Sequence, residues 1–89
     1  MTLNELRYIV AVAQEKSFGR AAAKCFVSQP ALSVAIQKLE EELGAQLFER
    51  GKSEGSVTPV GERVVERAQL VREEAARIRG LARAGRNQL

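Results

Sequence analysis

Leu3, Leu6, Val10 and Ala13 recur at helical spacing, and Tyr8, Ile9 and Val12 widen the stripe into a face that can cover a core. Thr2 and Glu5 stand ahead of it at capping-box spacing, with Met1 and Leu6 placed as the accompanying hydrophobic staple. The pattern predicts a first helix from about Leu3 to near Lys16. Ser17 then caps a short second helix, FGRAAAKC, in which Ala21 and Ala22 leave room for another helix to come close. After FVS breaks the period, Ser28 caps a third helix. Pro30 is tolerated in its first turn, where amide groups lack intrahelical partners anyway, and Gly44 after Leu43 is the stop signal.

Residues 46 to 58 change register. QLFER is a short strand candidate, GKSEG supplies turn chemistry and SVT returns as a second strand, which together predict a small hairpin, or wing. Thr58 and Pro59 are a cap and a first-turn proline for a long helix running to about Ala84. Along that helix Val64, Ala68, Val71, Ala75, Ile78 and Ala82 alternate by four and three, the spacing of a coiled-coil seam, between flanks rich in Arg and Glu. Such a helix calls for a partner helix in a second chain. The competing arrangement packs it back on its own domain.

Two helices joined by a tight turn, the first Ala-rich and the second capped and amphipathic, describe a helix-turn-helix over about 18 to 37. The expected fold is mainly α: a winged helix-turn-helix over residues 1 to 58, built from a three-helix core and a short β-hairpin wing at about 46 to 58. A linker helix for dimerisation follows over 59 to 89.

The chain's 89 residues suffice for one such unit plus an extension. Only 4% of them are aromatic, so the core must be aliphatic, and the scattered Tyr8, Phe18, Phe26 and Phe48 read as core residues, not as base-stacking platforms. The chain has no histidine and one cysteine, Cys25, which rules out an internal disulfide and a Cys cluster for zinc and removes the usual general base. Cys25 itself reads as a buried small hydrophobe. No catalytic residues, metal or cofactor are expected. GKS at 51 to 53 is no phosphate loop, because Gln46 stands where the motif needs a glycine. Neither a membrane-length apolar run nor a secretory signal is present, so a cytoplasmic chain is expected.

A net charge of +3 is compatible with a nucleic-acid partner, but its distribution has to decide. On the third helix Leu32, Ile36, Leu39 and Leu43 form the core face. Pro30, Val34, Gln37 and Lys38 lie opposite, with Gln29 and Ser33 projecting beside them from the first turns. Amide side chains can pair with an adenine edge, an exposed valine can touch a thymine methyl, and Lys38 suits a phosphate. Glu40, Glu41 and Glu42 would be repelled by phosphates, so only the front of the helix should insert. At the wing, Arg50 and Lys52 could hold the DNA backbone or enter a minor groove; Glu49 and Glu54 favour an ordinary solvated turn instead. A three-helix core with a merely solvated face remains an alternative, as does a helical module that dimerises or binds another protein without touching DNA.

The stretch LRYIVAVAQEKSFGRAAAKCFVSQPALSVAIQKLEEELGAQLFER followed by VTPVG resembles the N-terminal domain of LysR-type bacterial transcriptional regulators over essentially the whole chain. The residues that carry the likeness include Ala21-Ala22, Ser28 to Ser33, Leu39-Glu40, Leu43-Gly44, Leu47-Phe48, Arg50, Thr58 and Gly61. The resemblance implies a winged helix-turn-helix binding double-stranded DNA at a near-palindromic site, as a homodimer through the linker helix. In the longer protein it implies a tetramer, contact with RNA polymerase and a C-terminal effector domain that this chain lacks. Gln29, Pro30, Ser33, Val34 and Gln37 match base-contacting positions, while Arg20, Ser28, Lys38, Arg50 and Lys52 are the candidates for backbone or wing contacts. Many members carry a second arginine where Ser53 stands here, which leaves Lys52 as the substitute. LRYIV, FGRAA and LARAGRNQL look most like the peroxide-responsive branch of the family; a metabolite-responsive regulator is the alternative.

Overall fold

A computed structural model of the protein describes residues 1–51 and 55–87. Four helices follow one another: α1 (Leu3–Glu15), α2 (Phe18–Cys25), α3 (Gln29–Leu43) and α4 (Pro59–Asn87). Their ends are set by the expected side chains. The Thr2 hydroxyl accepts from the Glu5 N–H at 3.1 Å while the Glu5 carboxylate accepts from the Thr2 N–H at 2.8 Å, the reciprocal pair of a capping box. Ser17 and Ser28 accept from the Arg20 and Ala31 amides at 3.1 and 3.2 Å. Gly44 ends α3 in the left-handed conformation, φ 66°.

The core is aliphatic at its centre. Ile9, Val10 and Val12 of α1, Ala21 of α2, and Leu32, Ile36 and Leu39 of α3 are all buried. Phe18 and Phe48 meet edge to face, their centroids 5.7 Å apart. Leu3 stays exposed, so the buried face of α1 centres on Leu6, Ile9 and Val10 and does not extend to the first predicted position.

Phe26 corrects the expectation that every aromatic side chain lies inside. It is 92% exposed. It caps α2 at φ 60°, and that turn of the backbone directs the ring away from the core while Cys25 before it is buried.

The predicted two-stranded wing is reduced among the described residues to one antiparallel bridge, Phe48 with Val57. Two bonds flank it, from the Glu49 N–H to the Ser56 carbonyl at 2.7 Å and from the Thr58 N–H to the Leu47 carbonyl at 2.9 Å. Among the described residues no longer ladder forms. The Leu47 and Phe48 amides are engaged by the Glu40 carboxylate at 2.7 and 3.3 Å, and Thr58 already caps α4. The predicted turn residue Lys52 lies outside the described residues.

α4 is rooted in the domain. The Thr58 hydroxyl donates to the Gln46 carbonyl at 2.6 Å and accepts from the Gly61 amide at 3.0 Å. A β-carbon on Gly61 would sit 2.1 Å from the Leu47 carbonyl oxygen, so only glycine permits this approach. The first turns of α4 therefore lie on the domain itself. Ala68 is buried in the core and Val64 packs against it, whereas Val71 and Ile78 are 45% and 66% exposed. The predicted seam is divided accordingly: Val64 and Ala68 pack within the domain, Ala75 is half-buried, and Val71, Ile78 and Ala82 are exposed. The molecule is elongated along this helix, 55 × 24 × 20 Å.

Candidate nucleic-acid interface

The first turns of α3 present an exposed, largely polar face of the helix-turn-helix. Leu32, Ile36 and Leu39 anchor the inner side, and the helical repeat then turns Pro30, Val34, Gln37 and Lys38 outward, with Ser33 half-buried at the margin. Val34 is 64% exposed, an apolar branch held in solvent among polar neighbours. Lys38 has no ion-pair partner among the described residues, so its ammonium is available to an external anion.

Other predicted contacts are already engaged. The side-chain carbonyl of Gln29 lies against α2, 3.4 Å from where a β-carbon of Gly19 would be, so the small residue leaves that amide its place. The Ser28 hydroxyl is occupied in capping α3. Arg20 donates to the Glu15 carbonyl at 2.6 Å and lies 3.8 Å from the Glu15 carboxylate, which ties it to the end of α1. Arg50 pairs with Glu40 and keeps about half of its side chain exposed. The structure thus gathers Gln29, Pro30, Ser33, Val34, Gln37 and Lys38 on one surface and sets Arg50 beside the far end of the same helix.

The three consecutive glutamates do not behave alike, which corrects their reading as one acidic rear. Glu40 points inward and is 8% exposed. It accepts two backbone amides and pairs with Arg50. Glu42 takes the Met1 ammonium at 2.7 Å, and this hydrogen bond, opposed by desolvation, is the main cause of the raised pKa of that amino group. Glu41 alone has neither kind of partner among the described residues. Glu40 is the structurally decisive residue that the sequence reading missed. A signal existed: it stands four residues after Ile36 and eight after Leu32, on the apolar stripe.

Residues 3–62 match the bacterial regulatory helix-turn-helix protein family of the lysR type. The chain belongs to that family. A hydrogen peroxide-inducible genes activator from Pectobacterium carotovorum subsp. carotovorum is 43% identical over 82 residues, 92% of this chain and 27% of that protein. Full-length OxyR from Pseudomonas aeruginosa superimposes with a TM-score of 0.92 at 62% identity, covering 96% of this chain and 29% of that one. The DNA-binding domain of BenM in complex with benA site 1 DNA superimposes with a TM-score of 0.90 at 42% identity, covering 94% of both chains. The chain spans 19% to 27% of the length of the curated relatives it matches.

Proposed function

We propose that this chain is the sequence-specific, double-stranded DNA-binding part of a LysR-type transcriptional regulator, acting in the cytoplasm as a homodimer and performing no chemistry. The observation that carries the reading is the outward face of α3. Two amides, a hydroxyl, an exposed valine and an unpaired lysine occupy the first turns of a helix whose opposite side is fixed in the core. Its amino-terminal end inserts in the major groove, Gln29, Pro30, Ser33, Val34 and Gln37 meet base edges, and Lys38 and Arg50 meet phosphates. Dimerisation along the exposed outer part of α4 sets two such helices on two half-sites of a near-palindrome. The BenM domain's complex with DNA supports this reading of the shared fold.

Within the family we infer an OxyR-like, peroxide-responsive regulator. Over nearly the same span, identity is 62% to the OxyR of Pseudomonas aeruginosa and 42% to the BenM domain. Selection of duplexes from a random pool, followed by binding at several salt concentrations, tests the DNA-binding role. A single enriched near-palindrome bound well above random duplex is expected, and no preference for any duplex at low salt overturns the reading.

A further inference from the structure

Phe26 carries two features that packing does not require. It adopts φ 60° and ψ 40°, a left-handed conformation uncommon for bulky residues and more readily taken by asparagine or glycine. Its ring is also the most exposed of the large apolar side chains among the described residues. The backbone around it is fixed. The Phe26 amide bonds to the carbonyls of Ala22 and Ala23, the Val27 amide bonds to the Ala22 carbonyl at 3.0 Å, and Cys25 and Val27 on either side join the core. With both neighbours turned inward, the ring is held outward.

Phe26 stands two residues before Ser28, the N-cap of α3, beside the turn that carries Gln29, Pro30 and Ser33. We propose that its ring packs on the deoxyribose edge of the DNA strand bordering that turn, an apolar contact continuous with the hydrogen-bonding face of α3. The inference rests on the reading of α3 as the base-facing helix. A sugar edge suits the ring because it offers C–H surface on every nucleotide whatever the base, and sugar contacts fix register without reading sequence. The contact also releases no counterion, since no phosphate is neutralised.

The test is Phe26→Asn, a residue at ease in the left-handed region, so the fold is retained and its thermal midpoint is not lowered. Affinity for the selected duplex and for a random duplex is expected to fall by the same factor, on the order of tenfold, with an unchanged slope of log affinity against log salt. Phe26→Leu, which keeps an apolar side chain, recovers part of the loss. Wild-type affinity in Phe26→Asn overturns the proposal and leaves the ring to a protein partner. A loss confined to the selected duplex, or a salt slope lowered by about one, also overturns it, since these mark a base or a phosphate contact. A wild-type chain that binds no duplex overturns the DNA-binding reading itself.

Discussion

The carboxylate of Glu40 reaches ten residues along the chain to the guanidinium of Arg50 and, on the way, takes the amides of Leu47 and Phe48. One buried acid therefore fastens the segment after α3 to α3 itself. Glu40→Ala leaves two backbone donors unpaired near the core and is expected to destabilise the fold by about 2 kcal/mol. Arg50→Ala removes only the more exposed partner and should cost less than about 1 kcal/mol. Urea unfolding of the two variants measures the difference, and equal losses would show that the ion pair, not the amides, is what Glu40 holds.

Gly61 and Gly80 lie on the same helix in opposite circumstances. A β-carbon at Gly61 meets the Leu47 carbonyl oxygen at 2.1 Å, whereas one at Gly80 meets nothing within 4 Å. Gly61→Ala is expected to destabilise by about 2 kcal/mol or more. Gly80→Ala should stabilise by about 0.5–1 kcal/mol through helix propensity. Thermal midpoints that move in the same direction for both would contradict the close approach of α4 to Leu47.

On the proposed docking of α3, Gln29 and Lys38 separate recognition from attraction. Gln29→Ala should reduce discrimination between selected and random duplexes by about 1–3 kcal/mol. Lys38→Ala should weaken both and lower the salt slope by about one. Competition binding at a series of salt concentrations distinguishes them, and an equal loss on both duplexes for Gln29→Ala removes it from base reading.

Along α4, Ala68 and Val71 are three residues apart but differ in burial. Ala68→Glu places a charge in the core and is expected to abolish folding. Val71→Glu combined with Ile78→Glu alters only exposed positions, so it should leave helicity intact and give monomers in sedimentation. Dimers persisting in that double variant would locate self-association elsewhere.

The element boundaries were legible because they rest on local chemistry. Thr2 with Glu5, Ser17, Ser28, Gly44 and Thr58 each act on an amide, a carbonyl or a backbone turn within a few residues. The division of α3 into core and outward faces followed from one helical period. Long-range demands were less visible. Glu40, Glu41 and Glu42 are identical as residues, and only the approach of Leu47 and Phe48 gives the first of them a buried role. Of the wing, the described residues show a single bridge, and the Leu47 amide that could have extended it toward α4 serves Glu40 instead. Ala68 fits a coiled-coil seam equally well whether the opposing surface belongs to a second chain or to the same domain, and its burial within the single chain sets it against the domain.

The root of α4 has a mechanical consequence. With Thr58 bound on both sides and Gly61 seated on the Leu47 carbonyl, the first turns of α4 are fastened to the segment that Glu40 ties to α3. Interior glycines, the weakest links in a helix, come only toward the far end, at Gly80 and Gly85, where nothing braces them. In the proposed dimer, flexure would be concentrated away from the α3 end, so the spacing between two half-sites would be set by stiff arms and adjustment to a differently spaced site would be made at their tips.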